Sequence, residues 1–360
     1  MAAQGWADDA ILRAIEWVEA AGGAVGPLCF EATAGERGAF AGRPIAAGEV
    51  LLSVPRARLI TGDRVAATPP GRFVSEHLDL AAHPQVLLAL FLVHATRTRD
   101  PAWTPYTDTL PAAMPHHPLF FADADLARLR GTMCHDLLVA RRERLEVEWD
   151  RLRRGAPGLA DLEWGEWAFA RTLVASRAFA LSPDRVPTLV PLADLLNHAP
   201  APEATWNLLD ATGSVQVRAD VDVAGGAEVR DTYGAKSNGR LLLHYGFVLP
   251  DNPVEDCVID LGDAGAYLLR PSATAPEVQQ MLARLAALPE GRERLARACR
   301  ERLARLPESV DAPAESENGR NVLVVRDVER RVLRWWDERL ANAASLPTVD
   351  SGNPNVADAH

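Results

Sequence analysis

Lysine is almost missing from this chain. Of its 38 lysine and arginine residues only one, Lys236, is lysine. A GC-rich coding sequence favours arginine and alanine codons and accounts for the arginines. It leaves Lys236, between two tyrosines in DTYGAKSNGRLLLHYGF (231–247), as a position that this drift has not replaced. Cysteine is also scarce. Cys29, Cys134, Cys257 and Cys299 lie far apart. They form no CxxC pair and no Cys/His cluster at zinc spacing, which argues against a structural zinc site and a disulfide scaffold. They read as reduced, mostly buried thiols of a soluble intracellular, cytoplasmic protein. Excess positive charge is lacking too. The formal net charge is −11, which argues against broad contact with a phosphate backbone, so no nucleic-acid partner is expected. The longest apolar run, VLLALFLVHA (86–95), is too short to cross a bilayer and reads as a buried helix. The N-terminus has no apolar core with a cleavage site and does not read as a signal peptide. No GxGxxG is present, so a dinucleotide fingerprint is unsupported.

What is present is the composition of a globular protein, 48% hydrophobic and 24% charged, with enough length, 360 residues, for two or three folded units. Ile11, Leu12, Ile15, Trp17 and Val18 recur at helical spacing, and Gly22–Gly23 should end that helix. Short β-prone pieces with Gly/Pro punctuation follow. From about 63 to 175 helical periodicity dominates, over 84–97, 123–155 and 163–178, with RDPAWTPYTDTLP between them expected to be extended. Strand signals return from about 186 to 250, and NGRLLLHYGFVL reads as a short helix followed by a strand. Beyond 274 the chain is helical again, with 308–320 an acidic linker and the last residues a mobile tail. Two β-rich pieces split by helices can form one sheet unit if they pair in space.

Chemistry can sit in four stretches: GERGAFA (35–41), SRAF (176–179), PLADLLNHAP (191–200) and DTYGAKSNGRLLLHYGF (231–247). Singly each has a bland reading. The glycines near Arg37 could form a strand-connecting turn, Asn197–His198 a buried polar pair, and Tyr233 and Tyr245 core aromatics with bonded hydroxyls.

Together the stretches resemble the SET-domain protein methyltransferases of the Rubisco large-subunit methyltransferase type. The resemblance rests on Ala41 to Pro55 after the glycine turn, on Trp103 to Pro111, on Pro191 to His198, and above all on Tyr233 through Phe247. It runs from about residue 11 to 342. It implies an α+β fold: a β-rich split SET domain with a helical insertion, then an all-α C-terminal domain. The expected divisions are 1–62 and 176–250 for the two SET parts, 63–175 for the insertion, 251–342 for a substrate-binding domain and 343–360 for the tail. The implied activity is transfer of a methyl group from S-adenosylmethionine to a lysine of a non-histone protein substrate, with no metal and no membrane involved. Histidine as acceptor, or a silent interaction module of the same fold, remains open. By the same resemblance Tyr233 is the principal catalytic tyrosine and Tyr245 lines the acceptor channel. Glu36, Arg37, Gly38, Arg177, Asn197, His198 and Phe247 would bind the cofactor, with Arg177 on its carboxylate and Phe247 near its adenine. Asp194 is expected on the acceptor side. Lys236 should hold the active-site loop or touch the cofactor's surroundings; as the sole lysine, expected to be buried, it is a poor candidate for self-methylation.

Overall fold

A computed structural model describes residues 9–342 apart from 34–35, 67, 69–70, 73, 75–83, 157, 182–184, 210, 272 and 308–315. The architecture is α+β. The first β-rich piece supplies β1 (Ala24–Val25), β2 (Leu28–Thr33), β3 (Glu36–Ala41), β4 (Val50–Val54) and β5 (Ile60–Thr61). The second supplies β6 (Ala178–Leu181), β7 (Val186–Leu189), β8 (Ala204–Leu209), β9 (Ser214–Ala219) and β10 (Glu228–Val229). They do pair in space. Strand β4 runs antiparallel to β9, β3 to β10, and β5 to β7. A register shift between Val50 and Leu52 turns both Leu51 and Leu52 inward, where neither is exposed. A bulge of this kind lets consecutive apolar residues serve one core.

That core is shared by both pieces and by helix α1 (Asp9–Glu19). Ile11, Ala14 and Val18 pack with Phe30, Leu52, Val215, Val217 and Leu195. Leu12, expected on the apolar face, is exposed. Between the two pieces lie α2 (Gly62–Ala66), α3 (Pro84–Thr98), α4 (Thr104–Thr107), α5 (Asp123–Leu129), α6 (Met133–Gly155) and α7 (Trp164–Arg177). Helix α3 is apolar on every face and is buried accordingly. It forms a second core with Trp167 of α7 and with Ile60 and Leu189, so the helices rest on β5 and β7.

Several local expectations are corrected. Residues 123–155 are two helices. Gly131 takes φ +83°, and the Thr132 hydroxyl then accepts from the His135 N–H to start α6. The Trp103–Pro111 stretch is not fully extended: Pro105 sits in the first turn of α4, where its missing N–H costs nothing. Residues 251–342, expected to be all helix, also contain the hairpin β11 (Cys257–Asp260) and β12 (Ala266–Leu269). Its turn uses Gly262 and Gly265 at positive φ. Around the hairpin pack α9 (Ala275–Ala286), α10 (Gly291–Arg305) and α11 (Glu317–Ala341), with Leu295, Val332, Leu333 and Trp336 in the interior. Ser316 caps α11 by accepting from the Gly319 N–H, so 316–320 begins a helix rather than continuing a linker. The rest of that linker and the tail 343–360 lie outside the described residues.

One buried contact joins the C-terminal helices to the insertion. Both Glu329 carboxylate oxygens accept from the Met133 N–H, at 2.8 and 2.9 Å. Burial pushes this carboxyl up to about 7, although the Met133 N–H and Arg302 oppose the shift. Because the folded value lies above the ordinary 4.5, its contribution to stability is complete below that value and is lost as pH rises through 7. Glu329→Gln cannot titrate. Urea melts at pH 5 and 8 should therefore show wild type losing about 2–3 kcal/mol relative to the variant across that interval.

Candidate functional site

One bridge brings the site together. His198 pairs with Asp231 in parallel register. The Asp231 N–H donates to the Asn197 carbonyl at 2.9 Å, and the Ala199 N–H donates to the Asp231 carbonyl at 2.8 Å. Just upstream, Leu192 takes φ +68° before the tight turn Ala193–Leu195. A β-branched or bulky side chain is rarely held in that region, and such strain concentrates at functional sites.

The other two stretches join through side chains. The Asn197 amide donates to the Arg37 carbonyl at 2.9 Å and to Glu228 Oε1 at 2.8 Å. Gly38 lies in that corner of β3. A Cβ there would stand 2.9 Å from Glu228 Oε1 and 3.2 Å from Asn197 Nδ2, so the corner is packed too closely for a side chain unless its neighbours shift. The Arg37 guanidinium itself turns to the Thr109 carbonyl. Glu36 opens β3; Gly35 lies outside the described residues. Arg177, the last residue of α7, donates from Nη1 to the Asp194 carbonyl at 2.7 Å and lies 3.5 Å from Asp194 Oδ2. Its Nε is buried with no hydrogen-bond partner among the described residues.

Against this frame packs an aromatic cluster. Tyr233 stacks on Tyr245 at 4.6 Å and on His198 at 5.2 Å, with Phe247 edge-on at 6.4 Å. Tyr233 is held at both ends. Its N–H donates to His198 Nδ1 at 3.0 Å and its hydroxyl donates to the Leu196 carbonyl at 2.8 Å. Tyr245 ends α8 (Asn238–Tyr245), and Gly246 at φ +86° turns the chain so that Phe247 returns to the same cluster. Burial raises the phenol of Tyr233 well above its ordinary range and that of Tyr245 to about 12, so both stay protonated. Burial lowers His198, with the Lys236 charge adding to the effect.

Lys236 holds the loop, as one of its two expected roles has it. Its ammonium donates to the Tyr233 carbonyl, and its own carbonyl accepts from Asn252 at 2.9 Å. It also lies 5.7 Å from the Tyr245 ring centre. A point-charge ammonium fits between a carbonyl and a ring face where a planar guanidinium is bulkier.

Asp194 was expected on the acceptor side. Its side chain has no exposed surface and is engaged by Arg177 and by the Tyr106 hydroxyl, 3.0 Å from Oδ2. A carboxylate enclosed in this way anchors Arg177. Tyr106 was missed, although it stands in the Trp103–Pro111 element already singled out. Glu228 and Asp231 were missed because no motif spacing marks them. Asn238 was missed as a support. Fully buried, it accepts from the Leu249 N–H at 2.7 Å and donates to the Leu249 carbonyl and Glu255 Oε1, both at 2.8 Å. Residues 247–249 therefore form no strand: a side-chain amide replaces the missing neighbour.

No protein-family model matches the chain. An aldolase-lysine N-methyltransferase from Arabidopsis thaliana chloroplasts is 29% identical over 228 residues, 59% of this chain and 46% of the relative. An actin-histidine N-methyltransferase from Gallus gallus is 27% identical over 244 residues, 62% of this chain and 40% of the relative. The chain thus spans less than half the length of these curated relatives. Among solved structures, the SET domain of the Rubisco methyltransferase LSMT, bound to lysine and AdoHcy, superposes with a TM-score of 0.77 at 19% identity. That match covers 93% of this chain and 92% of the other. The chain therefore has the fold of that SET domain. The resemblance read from the motifs holds.

Asn238→Ala should loosen the loop between Tyr233 and Leu249. Removing three hydrogen bonds made by this buried side chain costs about 2 kcal/mol. Calorimetric melting should show Tm lower by about 2–4 °C; an unchanged Tm would mean that the amide supports nothing.

Proposed function

We propose that this chain is an S-adenosylmethionine-dependent protein N-methyltransferase that acts on a lysine side chain of a protein substrate. The observation that carries the reading is the fixed Tyr233. Its hydroxyl is pinned on the Leu196 carbonyl, its ring is stacked on Tyr245, and the Gly38–Asn197–Arg177 corner lies beside it.

The residues present fit the cofactor. Gly38 keeps the β3 backbone bare where it faces Asn197, and Arg177 keeps a buried Nε with no hydrogen-bond partner among the described residues. Its guanidinium suits the cofactor carboxylate, because a fork of donors matches two oxygens. Asn197, His198 and the backbone of Glu36, Arg37 and Gly38 would line the nucleoside side, with Phe247 against the adenine. Bound there, S-adenosylmethionine supplies an electrophilic methyl group on a sulfonium.

The chain's own work is positioning and proton control. Tyr233 and Tyr245 form a stacked aromatic wall whose buried phenols stay neutral and whose outer ring surface meets a cationic nitrogen. The acceptor must enter or become neutral there. A free lysine amine, with pKa about 10.4, would need about 4–5 kcal/mol for deprotonation at pH 7. Burial against these rings lowers that cost. Relatives acting on histidine keep that acceptor as the second reading. We place substrate choice in residues 251–342 and the enzyme in the cytoplasm, in keeping with four free cysteines. No helix among the described residues is long and apolar enough to cross a membrane.

Calorimetry with S-adenosylmethionine tests the reading. Wild type should bind saturably. Asn197→Ala, which releases the Arg37 carbonyl and Glu228, should bind at least about tenfold more weakly. Tyr233→Phe should bind as wild type yet lower labelled-methyl transfer to lysate proteins by about 100-fold. Absence of wild-type binding even at about 1 mM cofactor, a free energy near −4 kcal/mol, would sink the proposal.

A further inference from the structure

Asp231 is a buried carboxyl that the reading above leaves without work. It is 4% exposed, and its Oδ1 is buried with no hydrogen-bond partner among the described residues. Asp194 also has one bare oxygen, but Arg177 and Tyr106 hold the other. Asp231 has no such ion pair among the described residues. Its backbone is clamped on both sides by Asn197 and Ala199, so it cannot swing away.

Its position is specific. Asp231 is bridged to His198, whose ring stacks on Tyr233, and this puts it next to the tyrosines. Its charge is felt by the phenols of Tyr233 and Tyr245 and raises both. The groups around it are His198 on the paired segment, Tyr233 and the Thr232 N–H on its own, and Tyr245 at the end of α8. Lys236 turns its ammonium to the Tyr233 carbonyl, and Arg177 turns to Asp194. Burial is what moves Asp231, up to about 7, with the Thr232 N–H opposing; no cation contributes. A buried carboxylate without a cation is costly and calls for an explanation.

We propose that Asp231 is the acid–base partner of the acceptor nitrogen, a carboxylate that pairs with a cationic side chain arriving beside the stacked Tyr233 and Tyr245 and then takes its proton. This rests on the methyltransferase reading. In the step, one N–H bond of the acceptor ammonium breaks and its electron pair stays on nitrogen. The proton bonds to the Asp231 carboxylate, leaving a neutral amine and a neutral acid. The acid later returns the proton to water. A neutral amine is the form that can be alkylated, and a carboxyl poised near neutrality exchanges protons readily at cellular pH.

The test reads binding, with S-adenosylhomocysteine saturating the cofactor side. Nα-acetyl-lysine amide and its uncharged isostere Nα-acetyl-norleucine amide are titrated by calorimetry from pH 5.5 to 8.5. The lysine probe stays cationic throughout, while Asp231 loses its proton through about 7. Lysine affinity should therefore rise with pH, by about tenfold or more. The norleucine probe should show no slope. Asp231→Asn should bind S-adenosylmethionine as wild type does but lose the slope, and Asp231→Glu should restore part of it. An Asp231→Asn slope equal to wild type, norleucine binding as tightly as lysine, or no lysine binding at any pH would each overturn the assignment. If Asp231→Asn fails to fold, Asp231→Ser is measured in its place under the same criteria. Failure of wild type to bind S-adenosylmethionine would instead remove the methyltransferase reading itself.

Discussion

The site depends on two backbone hydrogen bonds. The Asp231 N–H reaches Asn197 and the Ala199 N–H reaches Asp231. Without that parallel bridge the Asn197–His198 pair and the Tyr233 loop are two separate surface stretches. With it, His198 can accept from the Tyr233 N–H and stack on its ring, and Leu196 can hold its hydroxyl. The strain at Leu192 sits immediately before the bridge and is sustained by the well-packed core beneath, which Leu192 joins.

Burial dominates the electrostatics around the bridge. It raises Tyr233, Tyr245 and Asp231 and lowers His198 and Lys236. All of these shifts favour the uncharged form. The site thus carries little charge, with Arg177 tied to Asp194 and the Lys236 ammonium turned to the Tyr233 carbonyl. It suits a ligand that brings its own positive charge, because an added cation meets aromatic faces and the Asp231 carboxyl.

Much of this was legible in residue order. The Tyr233–Phe247 stretch pointed to the site because its tyrosines, its lone lysine and its glycines recur in one family pattern. Helix α3 was legible because an apolar run of that length can only be buried. The local errors have local causes. Gly131 and Thr132 break one periodic stretch into two helices, since periodicity does not register a stop that keeps its phase. Asn238 replaces a strand by satisfying Leu249, which β-propensity cannot foresee.

By itself the sequence determined the kind of elements, their order and the identity of the aromatic and amide groups at the site. Hydrophobic period, turn residues and motif spacing are local properties, and they survive without a fold. Only the tertiary structure decided which groups meet. It closed Asp194 away with Tyr106 and Arg177, and it left Asp231 beside the tyrosines without a cation. Both are aspartates in or beside family-like stretches, and nothing in their neighbours along the chain tells them apart. Desolvation and pairing are set by residues far away in sequence, so the chemistry of a carboxyl is fixed only when the chain has closed around it.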